Sequence, residues 1–496
     1  MDEQKPMKTI AKAAIISLVG TIFIKLLTYG FRLIIARTGV ENYGLISLSL
    51  AIYGIISVIC IFGLDTGLYG LLSSTIKKEE EKAKDFIVSA AKISLTISLT
   101  LSFLLFILSN WLAVTYFHNE NLGIILKIIA IAIPFGVFRS IIQATLRAFQ
   151  LIKLDTATRV FENISKLILV VILLYVGLGV IGVVLSYTIS IFCSFILALF
   201  FLEKKIVRLW QRKNTPTINK ELLTYSWPLL LNNLSILIFN WTDTIMLGIF
   251  QTATQVGLYN TAAPTANLLS IANKSIMSIF LPVTAESYAQ ENQEEFKKIF
   301  KTTIRWILLL NSFGLVIFLL FAKDILSVFF GPEYGVAYGA LMILAIFFMI
   351  SAISDVPREI LLMVKKTKTI WYVTLGGILI NLVLNYLLIP KWGIIGAAIG
   401  TGSGFLITTI LFFCLAYKET KFFPFDWGHG RVLLAICATI GIISIIKTKV
   451  TMDLKTTILL GITTILLHTI VLFILRCIKK EEKEIIKVGI KKLREI

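Results

Sequence analysis

Long apolar segments separated by short polar stretches dominate the chain. A helix that crosses a bilayer needs about 20 mostly apolar residues, and the sequence holds about 14 segments of that kind. The pattern predicts an all-α polytopic membrane protein with about 14 transmembrane helices. The predicted spans are residues 13–36, 43–72, 86–109, 122–148, 157–176, 180–202, 225–250, 256–284, 303–322, 336–363, 370–389, 393–417, 431–447 and 455–476.

Lysine and arginine collect in alternate gaps between these segments. Both terminal segments and the gaps on their side of the membrane hold 34 of the 48 Lys and Arg residues, whereas the opposite gaps hold 6. Cytoplasmic loops of membrane proteins are enriched in Lys and Arg. The distribution therefore predicts a multi-pass protein of the cytoplasmic membrane with both termini in the cytoplasm.

Composition agrees with the apolar pattern and narrows the function. Hydrophobic residues make up 57% of the 496 and charged residues 16%, against about 25% charged in soluble domains. The net charge of +19 would suggest a nucleic-acid partner for a soluble protein, but the basic loops account for it, so none is expected. Five cysteines without a CxxC pattern and three scattered histidines predict no metal centre, and no cofactor is expected.

Two pairs of segments recur at nearly the same offset. YGLISLSLA at 43–51 aligns with VGLYNTAAP at 256–264, and GVIGVVLSYTIS at 179–190 aligns with GIIGAAIGTGSG at 393–404. The repeat predicts two parallel six-helix bundles followed by a C-terminal helix pair. The predicted divisions are an N-terminal lobe at 1–210, a C-terminal lobe at 211–420, additional helices at 421–478 and a basic cytoplasmic tail at 479–496.

Charged side chains recur on single faces of the first-lobe helices. A charge at the centre of a spanning helix costs roughly 2.5–3.5 kcal/mol on insertion scales, so such residues face a partner or a water-filled cavity. Cations outnumber acids here, which favours an anionic ligand such as phosphate or pyrophosphate. For Arg147 and Arg159 the alternative is snorkelling to the interface. The three stripes are Lys25, Tyr29 and Arg32; Arg139, Gln143 and Arg147; and Arg159, Glu162 and Lys166.

The second lobe is richer in amides and acids. Amides and carboxylates suit sugar hydroxyls, and a carboxylate can carry a coupled proton or sodium ion. The alternative is that these groups pair internally, as Asp355 with Arg358 or Asp243 with Lys274. Asp65, in GLDTGL, could cap a broken helix or line the cavity, and the choice stays open, as does the role of His468. The residues concerned include Asn240 and Asp243, then Asn267 and Lys274, then Asp355 and Arg358.

Four segments resemble one family of transporters. They are residues 39–68, 243–264, 329–345 and 380–404, and they recur in order over about residues 10–420. The chain resembles the polysaccharide-transporter flippases (Wzx-type translocases of O-antigen, capsule and exopolysaccharide lipid intermediates) of the multidrug/oligosaccharidyl-lipid/polysaccharide exporter superfamily. The resemblance implies a V-shaped pair of bundles that moves a polyprenyl-pyrophosphate-linked oligosaccharide to the outer leaflet by alternating access.

The resemblance and the polar stripes together give each candidate residue a role. Lys25, Arg32, Arg139 and Lys166 are expected to bind pyrophosphate, and Asp243 and Asp355 are the candidates for coupling to H⁺ or Na⁺. Expected partners are the lipid-linked glycan, membrane lipids and the polysaccharide polymerase machinery. The chain lacks P-loop and hydrolase motifs, so an enzyme is not expected. Candidates for the glycan or cavity are Tyr29, Gln143, Asn240, Asn267, Lys274 and Arg358.

Two alternatives from the same superfamily remain. One is a flippase for lipid II-type peptidoglycan precursors, which the predicted 14 spans would also suit. The other is an ion-coupled multidrug or cation antiporter, which should have an acidic cavity with little need for buried arginine. The excess of cations in the first lobe argues against the antiporter.

Overall fold

Helices form all of the regular secondary structure in the part of the chain that the structure describes. The computed structural model describes residues 4–75, 79–206, 219–270, 273, 276–277, 280, 284, 293–449 and 454–477, with side chains from Gly20 onward except at Glu80 and Leu454. Two short 3₁₀ turns, Asn267–Leu269 and Pro332–Ala337, interrupt the series. The α-helices are α1 (Gln4–Ala36), α2 (Val40–Ile61), α3 (Leu64–Thr75), α4 (Glu80–Thr115), α5 (Asn121–Ala148), α6 (Ile152–Tyr175), α7 (Gly179–Lys205), α8 (Lys220–Phe250), α9 (Ala253–Ala266), α10 (Gln293–Phe329), α11 (Tyr338–Met363), α12 (Thr367–Thr420), α13 (Trp427–Lys447) and α14 (Leu454–Ile474).

Most of these helices are long and apolar enough to span a bilayer. Within the described residues, ten helical stretches meet that condition by length and composition, which confirms the predicted polytopic all-α membrane fold. The predicted fifth span forms as α6 but is not one of the ten. Its charged residues, among them Asp155, Arg159, Glu162 and Lys166, lower its hydropathy.

The predicted second span is broken into two helices. Phe62 and Gly63 both adopt left-handed backbone angles, with φ of 54° and 69°, and separate α2 from α3. Asp65 lies in the first turn of α3, where its carboxylate accepts the Thr66 backbone N–H at 2.7 Å. A negative charge at this position is favourable because helix N-termini carry a partial positive charge.

Helix α12 is a hairpin. Its 54 residues are interrupted at Gly393, where φ is 52° and ψ is −127°. The two halves then run back along each other, since Asn381 donates to Thr401 at 3.0 Å and Gly400 lies against Asn385. The hairpin reproduces the eleventh and twelfth predicted spans.

The repeat is visible in the backbone. Gly179 and Gly393, which the offset of 214 makes equivalent, have φ of 51° and 52°, and each begins the second helix of a hairpin. A left-handed conformation of this kind favours glycine. The equivalent turns confirm the two structural repeats.

The first pair of repeat segments also meets in space, where α2 crosses α9. A Cβ on Gly44 would lie 1.8 Å from the Ala253 carbonyl oxygen, and a Cβ on Gly257 would lie 2.1 Å from the Val40 carbonyl oxygen. The offset of 213 relates Val40 to Ala253 and Gly44 to Gly257, so the two contacts are equivalent. Equivalent positions of the repeat therefore pack against each other. Only glycine permits this approach, because any side chain would displace the facing backbone.

The chain divides by its contacts into a first unit, Met1–Asn260, and a second unit, Thr261–Ile496. The first unit therefore includes α8 and part of α9, beyond the boundary predicted at residue 210. In the second unit, α13 and α14 pack on α10, where Lys447 pairs with Asp324 at 3.0 Å. The predicted division into lobes stays a prediction, and the predicted tail at 479–496 lies outside the described residues.

Candidate functional site

One face of α6 carries a polar stripe through the interior of the first unit. Asp155, Arg159, Glu162 and Lys166 follow each other at spacings of three or four residues, which places them on the same side of the helix, and Asn163 lies beside Glu162. All except Arg159 are buried. Buried charges of this kind need partners inside the protein or a ligand.

Helix α5 faces this stripe and supplies direct partners for it. The Arg139 guanidinium forms an ion pair with the Glu162 carboxylate, and both side chains are largely buried. One helical turn further along α5, Gln143 donates to the Thr158 hydroxyl at 3.1 Å. The predicted pyrophosphate contact Arg139 therefore has a carboxylate counterion within the protein, and Gln143 contributes to the contact between α5 and α6.

Lys166 is the most buried cation of the cluster, with 6% of the residue exposed. Its ammonium donates to the Asn163 side-chain carbonyl at 3.0 Å and lies 5.0 Å from the centre of the Phe31 ring and 5.4 Å from that of Tyr187. No carboxylate lies within 4 Å of it in the described residues. A buried ammonium that faces only an amide and two rings keeps an uncompensated charge.

Arg32 adds a second cation from α1. Its guanidinium donates to the Tyr43 hydroxyl at 3.2 Å and to the Asn260 backbone carbonyl at 3.4 Å. Tyr43 donates to the same carbonyl at 3.1 Å. These partners are neutral, and Phe31, the residue before Arg32, contacts Lys166. Three of the four predicted pyrophosphate contacts therefore lie in one cluster.

The other residues predicted on α1 lie at its surface or are half-buried. Lys25, the fourth predicted pyrophosphate contact, is exposed, and Tyr29 is partly buried. Thr28, between them, donates to the Asn163 side-chain carbonyl at 3.2 Å, the same atom that Lys166 contacts. This bond ties α1 to α6 beside the cluster.

Two arginines, Arg147 in the last turn of α5 and Arg159 on α6, share one acid. Arg147 and Arg159 approach the same Asp155 oxygen, Oδ1, at 3.4 Å and 3.1 Å. Asp155 is buried while both arginines are partly exposed. The sequence alone suggested snorkelling for these arginines; the structure gives them a buried carboxylate between α5 and α6.

Asp243, a predicted coupling residue, lies in a buried contact between α8 and α9. Its carboxylate accepts a hydrogen bond from the Tyr259 hydroxyl. The next residues along each helix, Thr244 and Asn260, also bond, with the Asn260 amide donating at 3.1 Å. The backbone carbonyl of that asparagine is the one that Arg32 contacts.

The remaining predicted residues are more exposed. Asp355 lies 3.8 Å from Arg358, which also pairs with Glu359 at 2.9 Å. Asn267 is exposed and accepts a bond from Ser270, and Asn240 is an exposed position of α8. The side chain of Lys274 lies outside the described residues.

His468, whose role the sequence left open, lies buried in the second unit. Its ring nitrogens bond Ser312 and Thr439, each at 2.9 Å, and Phe313 packs edge-on against the ring. The ring therefore links α10, α13 and α14.

Sequence reasoning missed the neutral residues that surround the cations. Phe31, Tyr43, Asn163 and Tyr187 line Lys166 and Arg32, but none breaks the apolar pattern as a charge does. Asn163 could have been found from its place three residues before Lys166 on the polar face of α6. The two tyrosines and the phenylalanine carry no comparable signal.

A family model described as polysaccharide biosynthesis protein matches residues 10–288, which is more than half of the chain and includes this cluster. The chain belongs to that family. The match confirms the predicted polysaccharide-transporter branch of the exporter superfamily. A second model, MatE, matches residues 228–387.

Relatives in two archaea and one solved structure resemble the chain. The probable low-salt glycan biosynthesis flippase Agl15 of Haloferax volcanii is 25% identical over 39% of this chain, and the chain spans only 41% of that relative. The uncharacterized membrane protein MJ1068 of Methanocaldococcus jannaschii is 25% identical over 83% of this chain and 84% of its own length. The lipid II flippase MurJ in an inward closed conformation superposes with a TM-score of 0.75 at 16% identity, over 92% of this chain and 98% of its own. That superposition establishes the shared fold.

Proposed function

We propose that the protein is a flippase for a polyprenyl-pyrophosphate-linked oligosaccharide and moves it from the inner to the outer leaflet of the cytoplasmic membrane for surface polysaccharide synthesis. The observation that carries the proposal is Lys166, a buried cation without a carboxylate within 4 Å among the described residues. Phosphate is the chemistry that would compensate it, because ammonium and guanidinium groups form strong charge-assisted hydrogen bonds to phosphate oxygens.

The cluster contains the parts that an anionic headgroup needs. Lys166 offers a compact charge, and Arg32 and Arg139 offer planar donor groups that match phosphate geometry. Arg32 is held by neutral groups, so a ligand could take over its donors without separating an ion pair. The remaining predicted contacts, Lys25 for pyrophosphate and Tyr29, Gln143, Asn240, Asn267, Lys274 and Arg358 for the glycan or cavity, belong to the same proposal.

Energy coupling is the second part of the proposal. Asp243 is buried against Tyr259 in the stretch that the MatE model matches, and Asp355 lies in a partly exposed ion pair. A proton or sodium ion taken up at either carboxylate would change its bonding. Translocation by alternating access, the cytoplasmic location of both termini and contact with the polymerase machinery remain part of the proposal.

A lipid II-type precursor is the second candidate. The fold match to the lipid II flippase favours it, whereas the name of the Haloferax relative favours a glycan intermediate. Both cargoes would present pyrophosphate to the same cationic cluster. The antiporter alternative finds less support, because a cationic cluster would repel cationic drugs.

The test is lipid analysis of a strain that lacks the gene. We expect one polyprenyl-pyrophosphate oligosaccharide to accumulate and the matching surface polymer to disappear, and its mass would identify the glycan. Complementation with wild type should reverse both effects, and Lys166→Met should not. Accumulation of lipid II would select the second candidate, and sensitivity to cationic dyes without lipid accumulation would replace the flippase by the antiporter.

A further inference from the structure

Among the described residues, the cationic cluster of Arg32, Arg139 and Lys166 contains one carboxylate, Glu162. That carboxylate is already paired with one of the cations. Glu162 lies one helical turn before Lys166 on α6 and pairs with Arg139 of α5. Glu162 is 9% exposed, so the pair forms in a poorly hydrated environment, where opposite charges attract strongly. Any phosphate that reaches Arg139 must compete with this carboxylate.

The neighbouring charged groups add no net charge to the cluster. Arg147 and Arg159 share Asp155, and Asp65 of α3 also acts on Arg147. These four groups carry two positive and two negative charges. The cluster of Arg32, Arg139, Lys166 and Glu162 therefore keeps a net charge of about +2, counted with its basic and acidic side chains ionised as at neutral pH.

We infer that Glu162 is an internal competitor that limits how tightly the cluster holds a diphosphate headgroup and so allows its release. This inference rests on the proposed function and assigns a residue that regulates the same site. A carrier must bind its cargo well enough to load it and weakly enough to let it leave. Binding that is too tight in the loaded state slows turnover.

The pairing makes this role different from a structural one. While the site is empty, the Glu162 carboxylate keeps Arg139 compensated and in place. When a phosphate arrives, Arg139 can exchange one oxygen acceptor for another, so the net gain from this arginine is small. Lys166 and Arg32, with no carboxylate to displace among the described residues, provide most of the net attraction. A purely structural Glu162 would only position Arg139, and its loss would weaken binding.

The sign of the change in affinity therefore decides between the two roles. We would measure the binding of polyprenyl diphosphate to the full-length protein in lipid nanodiscs, together with its transport in proteoliposomes. Glu162→Gln should bind the diphosphate about tenfold tighter, the range expected when a charged hydrogen-bond competitor is removed, and should transport it more slowly. Unchanged or weaker binding would overturn the inference.

Asp155→Asn is the matched control. Asp155 is also a buried acid of α6 that accepts from arginines, and its replacement raises the net charge of the protein by the same amount. We expect its diphosphate affinity to stay within about twofold of wild type, because Asp155 lies seven residues before Glu162 on α6 and Coulomb attraction falls with distance. A gain equal to that of Glu162→Gln would show a general effect of charge and would overturn the inference.

A double variant covers the case in which Glu162→Gln does not fold. Arg139→Gln with Glu162→Gln removes the whole pair and leaves no unpaired buried charge. Its affinity should stay within about threefold of wild type, because the exchange at Arg139 contributes little net attraction. A loss greater than tenfold would show that Glu162 does not offset Arg139 and would overturn the inference.

Lys166→Met separates the inference from the proposed function. If Lys166→Met binds diphosphate as wild type does, the cationic cluster is not the site and the proposed function loses its support. If Lys166→Met loses binding while Glu162→Gln gains none, only the role assigned to Glu162 fails.

Discussion

The two units of the chain treat buried polar groups differently. In the first unit, Arg32 and Lys166 contact neutral groups, and their charges remain uncompensated by the described residues. In the second unit, two buried amides are linked by hydrogen bonds: Asn311 donates to Asn273 at 2.9 Å, and Asn273 donates to the Ala352 carbonyl at 3.0 Å. Neutral groups that bond one another stabilise the packing of helices, whereas uncompensated charges point to a ligand.

The largest expected effect tests whether the uncompensated cations of the first unit bind a ligand. Lys166→Met keeps the length and apolar stem of the side chain but removes its charge, so we expect transport to fall by about 10- to 100-fold, the range of a lost charge-assisted hydrogen bond. Lys127→Met is the control, since Lys127 is a half-buried lysine of α5 outside the cluster. Equal losses from both variants would show that the cluster has no special role.

The next effect tests whether the bonded amides of the second unit stabilise the packing of its helices. Asn311→Leu leaves the Asn273 carbonyl without the donor that Asn311 provides, so we expect the free energy of unfolding to fall by about 1–3 kcal/mol. Thermal unfolding in detergent would show this as a lower Tm. Transport per folded molecule should stay near wild type. A selective loss of transport would mean that the amide network of the second unit also binds cargo.

A smaller effect should follow when the neutral support of Arg32 is removed. Tyr43→Phe removes the hydroxyl that accepts from Arg32 and donates to the Asn260 carbonyl. We expect diphosphate affinity to fall by about three- to tenfold, or roughly 0.5–1.5 kcal/mol, because Arg32 loses one of two positioning contacts but keeps the Asn260 carbonyl. Binding in nanodiscs measures it, with Tyr69→Phe, an exposed tyrosine of α3, as the control. The same change in both variants would remove Tyr43 from the site.

The smallest effect concerns the two carboxylates proposed for coupling. Asp355 and Arg358 form a partly exposed pair at 3.8 Å, and such pairs contribute about 0–1 kcal/mol. We expect Asp355→Asn to change transport by less than about threefold, with its dependence on the proton or sodium gradient retained. Asp243→Asn, which alters a buried acid, should reduce that dependence more. If Asp355→Asn reduced the dependence on the ion gradient more than Asp243→Asn, coupling would be assigned to the second unit.

Much of the fold could be predicted from the sequence because helices in a bilayer follow from local composition. Runs of about 20 apolar residues located the described helices, and the offset of 214 aligned Gly179 with Gly393, where the structure has equivalent turns. The break at Phe62 and Gly63 was only one of the two alternatives that the sequence left open for Asp65. The apolar pattern continues through it, and the left-handed backbone there leaves no trace in hydropathy.

The residue types of the candidate site could be predicted from the sequence, but the contacts between those residues could not. Spacing placed Arg139 on one face of α5 and both Glu162 and Lys166 on one face of α6. It did not distinguish the arginine that meets Glu162 from the lysine that meets two aromatic rings. That difference depends on how α5 and α6 are rotated against each other.

The sequence by itself thus determined the membrane-spanning helices, their repeat and the excess of cations in the first 210 residues, since each is a property of neighbouring residues or of composition. Tertiary structure alone decided which cation is paired. Arg139 lies against Glu162 although 22 residues separate them in the chain, while Lys166, four residues further on, lies between Phe31 and Tyr187. The reason is physical: burial makes an unpaired charge costly, and only the packing of several helices decides which groups share that burial.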